Sequence, residues 1–262
     1  MKINNLIIAT ACALLSTTAL AQNFTVYHNG AVVGQYDIAE GDSIVFSDSP
    51  SIGGHEYVDL GLSVKWAICN IGAYAPEEVG NFYAWGETQT KDFADYDIAH
   101  YKWLTDNTKN HVTKYCSATK YWYGEGDPDS LKVLLPEDDA ATANWGNEWR
   151  MPTIEEQMEL VNNCTWEWQE KNDELGLVDG YKVTGPNGKS IFLPATGCHT
   201  NESTLTIHGL DAISPNYGFY WSSSVIPGGD YCAYYLNISK ANKQKKTNNV
   251  RYYGMVVRPV HE

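Results

Sequence analysis

The sequence predicts an α+β protein: two main helices among many short, mostly antiparallel strands, preceded by a small β-hairpin segment. Three observations carry that expectation. Residues 24–46 alternate apolar and polar side chains on either side of Asn29-Gly30, a hairpin signal. From His55 onward, short runs rich in Tyr, Trp and Val are separated by Gly, Asn and Asp turns. Only two segments, 134–146 and 152–164, carry helix signals, and a few helices among many strands is an α+β pattern.

Residues 1–21 read as a secretory signal, with Lys2, an apolar run from Leu6 to Leu15, and small residues at Ala19 and Ala21 before a cut. That run is too short to cross a bilayer, and no later segment approaches about twenty apolar residues. The mature chain is therefore expected outside the cytoplasm, in a periplasm, on the cell surface or beyond it, without membrane insertion. Cys12 stands in "ATAC", which lacks the leucine expected three residues before a lipidated cysteine.

Residues 22–47 form a short β segment, with a third strand expected at Ser43–Phe46. So small a strand group does not hold itself together in water, so it is expected to pack on the next domain or on a partner. Residues 48–54 are a linker by composition. The main domain runs from 55 to 262. Its first helix has Pro136 and three acids where a helix N-terminus favours them, and Gly146 as a stop. In the second, Thr153 caps, Glu156 completes a capping box, and Ile154, Met158 and Val161 form an apolar stripe. Strands are expected on both sides of the Pro-Asn-Gly turn in 180–197, over 217–225, and over 252–260, where the last would close the domain.

Charge excludes some partners. The chain has 18 basic and 32 acidic side chains, a net charge of −14, and loss of the signal removes one more lysine and no acid. Such a chain repels nucleic acid and anionic membrane surfaces. The five cysteines after the signal (Cys69, Cys116, Cys164, Cys198, Cys232) are widely spaced, odd in number and without a CxxC pair. They read as buried apolar residues, allowing at most two disulfides.

Six ordered stretches carry a family resemblance: "EYVDLGLSVKWAICNIGA" (56–73), "GNFYAWGET" (80–88), "DDAATANWGNEWRMPTIEEQMELVNNCTWEW" (138–168), "NGKSIFLPATG" (187–197), "YGFYWSSSV" (217–225) and "VVRPV" (256–260). In this order they resemble the Fibrobacter succinogenes major paralogous domain of secreted Bacteroidetes and Fibrobacteres proteins. The resemblance implies a C-type-lectin-like fold, in the group that includes formylglycine-generating enzymes. Within it, Trp149, Arg150, Pro152, Trp221 and Arg258 fall on the framework motifs. That group holds enzymes, adhesins and lectins on one scaffold, so function has to be argued from sites.

Catalytic sites are not announced. Cys198 and Cys232 stand in contexts unlike the copper-binding pair of the oxidases. The Glu-Pro-Asn and Trp-Asn-Asp elements of calcium-dependent lectins are missing, although Asp127 and Asp129 offer oxygen ligands. HExxH, GxSxG and Walker patterns do not occur, and no acid pair stands out for glycosidase work. No catalytic residue, metal or cofactor is expected.

Binding loops are the better reading. By the resemblance, loops around the late strands form the ligand face, where His199, Asn201, Glu202, Asn216, Tyr217, Tyr231 and Tyr234 are the candidate contacts. Aromatic rings there offer an apolar face with a polar edge to a sugar or a protein. The insertion 102–127, rich in Tyr and Trp, is a second candidate surface. Lys240, Lys243, Lys245, Lys246 and Arg251 put a basic hairpin tip into the acidic chain. "DSI" (42–44) and "DSL" (129–131) resemble O-glycosylation acceptors at Ser43 and Ser130. The expected function is a secreted, adhesin-like binding protein for an extracellular glycan or protein; the rivals are an extracellular hydrolase or oxidase, and a fimbrial or scaffold subunit.

Overall fold

The computed structural model describes residues 22–28, 31–38, 50–108, 111–171, 178–200, 206–207, 210–211, 217–228, 231–241 and 245–262. The chain is an α+β protein of two compact units, Met1–Asp48 and Ser49–Glu262. In the first, β1 (Gln22–His28) and β2 (Ala31–Ile38) pair antiparallel, with His28 opposite Ala31. Val26 faces Gly34 and Tyr27 faces Val32, so Val33 is the extra residue of a bulge. The strand expected at Ser43–Phe46 lies outside the described residues.

The second unit begins inside the stretch that composition marks as a linker. Ser51–Ile52 (β3) pairs with His55–Val58 (β4), because Gly53 and Gly54 adopt φ of 58° and 85° and turn the chain back on itself. β4 pairs with β5 (Lys65–Ala67), and β5 with the last strand of the chain.

The first expected helix is shorter than its pattern. Pro136–Asp138 forms a single 3-10 turn, and α1 runs only over Ala140–Trp145. Asp139 causes the break: its backbone is extended so that its carboxylate can accept from Ala141 N and Thr142 N as an N-cap. The second helix, α2 (Ile154–Asn163), starts at Thr153 with the complete capping box to Glu156. Its buried face is Ile154, Gln157 and Leu160, whereas Met158 and Val161 are half-buried. Gln157 displaces the expected stripe because its Nε2 donates to the Tyr220 and Trp221 carbonyls, both at 3.1 Å.

Two antiparallel sheets follow: β6 (Thr165–Gln169), β7 (Gly180–Thr184) and β8 (Ser190–Pro194) form one. A small ladder, β9 (Thr206–Ile207) with β10 (Leu210–Asp211), precedes the other, made of β11 (Tyr217–Val225), β12 (Cys232–Ser239) and β13 (Lys245–Val250). The side-chain alternation of β11 sends Phe219 and Trp221 into one apolar cluster, with Trp85, Tyr115 and Met255. Tyr220 points the other way, to Leu60, Trp66, Leu160 and Leu193.

The closing segment differs from its expected strand. Only β14 (Val260–His261) forms a ladder, with β5. Upstream, Gly254, Met255 and Val256 make single bridges to His199, Tyr83 and Tyr220 in turn. A segment shared among several neighbours cannot keep one continuous register.

Four of the framework residues, Trp149, Pro152, Trp221 and Arg258, are buried for identifiable reasons, and Arg150 is half-buried. Trp149 is fully buried and donates to the Ile52 carbonyl at 3.1 Å. The Pro152 carbonyl accepts from Ser223 N at 2.8 Å. Trp221 donates to the Tyr83 carbonyl at 2.9 Å, and Trp85 returns the bond to the Ser222 carbonyl at 2.8 Å. Arg258, 1% exposed, holds Asn70 and the Ala67 and Ile68 carbonyls.

Candidate functional site

The insertion 102–127 is tied into the core. Tyr115 is fully buried with a left-handed φ of 59°, and it is fixed at each polar group. Its N–H donates to Asp129 at 2.7 Å, its hydroxyl donates to Asp138 at 2.6 Å and accepts from Leu135 N at 3.0 Å, and its carbonyl accepts from Arg251. Such a conformation persists in a bulky residue only when its surroundings over-determine it. Asp138 also holds Lys102 at 3.0 Å and Lys114 at 2.5 Å. Burial pushes the Asp138 carboxyl up, and the bonds from Lys114, Tyr115 and Lys102 more than offset it, leaving it below the usual value. This network anchors the insertion to the turn before α1.

Asp129 is engaged as well. Its two oxygens accept from Tyr115 N at 2.7 Å, Cys116 N at 2.9 Å and Leu131 N at 3.2 Å. That work in the backbone, rather than a free acidic loop, accounts for the residue. Among the described residues no three His, Cys, Asp or Glu side chains converge as a metal-holding group.

Cys69, Cys164 and Cys198 are free thiols. Burial pushes Cys198 up to about 12 and Cys164 up to about 11. An activated cysteine needs a lowered value in electropositive surroundings, so these two have the opposite character.

The candidate ligand residues keep different company. His199 stacks on Phe82 at 3.8 Å, with Phe93 and Tyr96 edge-on, and burial lowers its imidazole below the ordinary value. Its backbone exchanges two hydrogen bonds with Gly254, each 2.8 Å. Tyr231 meets Tyr121 edge-on at 5.5 Å, and Gly228 N donates to Ser117 at 3.3 Å, so two segments singled out for binding touch each other. Tyr234 is half-buried on β12, opposite Asn248. Asn201, Glu202 and Asn216 lie outside the described residues, as does Ser43. Ser130 is exposed at φ 55°.

Among the described candidates, Tyr217 opens on a cavity. A cleft of about 480 Å³ is lined by Trp168, Glu170, Lys171, Asp179, Tyr217, Ser239, Lys240 and Ala241. The sheet registers build it: Trp168 faces Tyr181 at the end of β6, and Tyr217 faces Ser239 at the start of β11. Tyr181 joins the two sheets beneath it by donating to the Ser239 carbonyl at 3.0 Å. Lys171 N donates to Asp179 at 2.9 Å, and Lys240 forms an ion pair with Glu170. The Trp168 ring stands edge-on to Tyr181 at 4.9 Å, and its indole N–H is buried without a hydrogen-bond partner among the described residues. Trp166, two residues earlier, has one in the Leu160 carbonyl at 3.3 Å.

A second cavity, about 160 Å³, lies beside Asp139, Arg150, Met151 and Ser223 in the framework turn. It is below the roughly 300–1,000 Å³ of small-molecule sites, whereas the first falls within that range. Trp168, Glu170, Lys171 and Asp179 escaped the sequence reading, and Lys240 entered it only as part of the basic hairpin tip. The available signal was Trp166 and Trp168 on one face of a strand that runs straight into Glu170-Lys171.

No helix among the described residues is long and apolar enough to cross a membrane. No family model, curated protein or solved structure matches the chain.

Proposed function

We propose that this is an exported, non-catalytic binding protein that recognises a glycan or protein ligand outside the cytoplasm. The ligand site is the Trp168–Tyr217 cleft of a C-type-lectin-like domain. The observation that carries the reading is the meeting of two partly exposed aromatic rings with charged side chains of both signs in one cleft of ligand size. Rings supply apolar contact to a sugar face or side chain, and charged groups fix its orientation. Export rests on residues 1–21, and the lectin-like assignment on the six ordered motifs. The raised cysteine thiols and the structural use of Asp129 and Asp138 support a role without catalysis.

The test is a glycan array probed with the mature protein and with a Trp168→Ala/Tyr217→Ala variant, alongside hydrolase and oxidase assays on the bound glycans. Binding that the double variant loses, without turnover, is expected. Turnover of a bound glycan by the wild-type protein, or binding that the double variant keeps, would overturn the proposal.

A second reading draws on the first unit. Among its described residues the first unit shows one two-stranded ladder, a structure marginal in water by itself, which favours pairing with a neighbouring subunit. Deleting residues 22–48 would then abolish assembly, and leave glycan binding intact.

A further inference from the structure

We infer that the cleft takes an uncharged pyranose ring, stacked on Trp168 and Tyr217, with two adjacent hydroxyls set between the Glu170 carboxylate and the Lys240 ammonium, and that it does so without a metal ion. The inference rests on the binding reading above and specifies its ligand.

Charge balance carries the argument. Glu170 and Lys240 pair with each other, and the Asp179 carboxylate takes the Lys171 N–H. Lys240 also lies within the field of Asp179. Among the described residues the cleft is thus lined by two acids and two lysines, and these side chains sit close to compensation. A ligand carboxylate would gain Lys240 at the expense of Glu170, which it would then face as a like charge. A ligand ammonium would meet the mirror problem at Lys240. A hydroxyl both donates and accepts, so one of an adjacent pair donates to Glu170 while the other accepts from Lys240. Neither charge loses its counter-ion in that exchange.

The walls fit the same ligand. A pyranose presents a flat C–H face, and aromatic rings with polar edges suit it. A calcium-bridged alternative is disfavoured by the donor set. Calcium takes about 6–8 oxygens, and here an ammonium stands beside the carboxylates where a cation would sit.

The experiment is isothermal titration of the full mature chain with neutral gluco- and manno-oligosaccharides, oligouronides and chitosan oligosaccharides, each with and without EDTA. Binding of a neutral oligosaccharide, unchanged by EDTA, is expected. Glu170→Gln and Lys240→Met, at exposed positions that leave the fold intact, should each weaken it about tenfold through loss of a charged hydrogen bond. Trp168-dependent binding of only the uronides or only the chitosan series would overturn the neutral class and leave the binding reading standing. Loss of binding in EDTA would overturn the metal-free site. Failure of every oligosaccharide to bind would overturn both the inference and the glycan arm of the reading beneath it.

Discussion

Arg150 and Glu156 are joined by a two-pronged bond, Nη1 to Oε2 at 2.8 Å and Nη2 to Oε1 at 2.6 Å, across the turn that starts α2. Glu156 Oε2 also accepts from Thr153 N at 2.8 Å, so one carboxylate closes the capping box and receives the guanidinium fork. Arg150→Ala is predicted to lower stability by about 1–3 kcal/mol in urea unfolding, as expected for lost hydrogen bonds to a charged group. Arg150→Lys should recover only part of that, because an ammonium cannot reproduce the fork. Ligand affinity should not change in either variant; an unchanged stability would show that the pair is ornamental.

Asp139 gives the fold a pH signature. Burial pushes its carboxyl up from 3.8 to about 6, against the pull of the Met151, Thr142 and Ala141 N–H groups. Between these values the folded chain holds a proton that the unfolded chain has released. The stabilising contribution is therefore complete below about pH 4 and is lost as pH rises through about 6. The size is on the order of 3 kcal/mol. Asp138 and Glu156 lie below their ordinary values and act with the opposite sign, losing their contribution as pH falls. Comparison with Asp139→Asn isolates the effect: wild-type stability relative to the variant should decline from pH 4 to 7. A flat difference would refute the assignment.

Asp129 is predicted to be structural. Asp129→Ala strips three backbone N–H groups of their acceptor and should cost about 1–3 kcal/mol. The wild-type melting temperature should be the same in calcium and in EDTA. A calcium-dependent rise that the variant lacks would instead make the 125–130 loop a cation site.

Trp168 separates binding from folding. Its buried indole N–H lacks a partner among the described residues, so Trp168→Phe removes an unsatisfied donor and should be neutral or stabilising by up to about 1 kcal/mol. Trp168→Ala should abolish ligand binding with a modest loss of stability, since the residue is only half-buried at the end of β6. If the Phe variant unfolds at clearly lower denaturant than wild type, the indole has a partner in solution.

Features legible in the sequence are those whose physics is local. The capping box at Thr153–Glu156 spans four residues, and the β7–β8 hairpin turns at Pro-Asn-Gly. The insertion was not legible as core, because Arg251 and Asp138 hold Tyr115 from 136 and 23 residues away. Nor could the pattern show that α2 buries Gln157, whose acceptors lie 63 and 64 residues on. The same holds for the cleft. Tyr217 was a candidate by its place at the start of an aromatic strand, but Trp168, Asp179 and Lys240 join it only through the registers of two sheets.

The most direct measurement follows the indole N–H resonances of the nine tryptophans in a ¹H–¹⁵N spectrum during titration with a bound neutral oligosaccharide. Trp168 should shift progressively with ligand, while the fully buried Trp85, Trp149 and Trp221 stay in place. Saturable binding that leaves Trp168 unmoved and shifts other indoles would contradict the cleft as the ligand site.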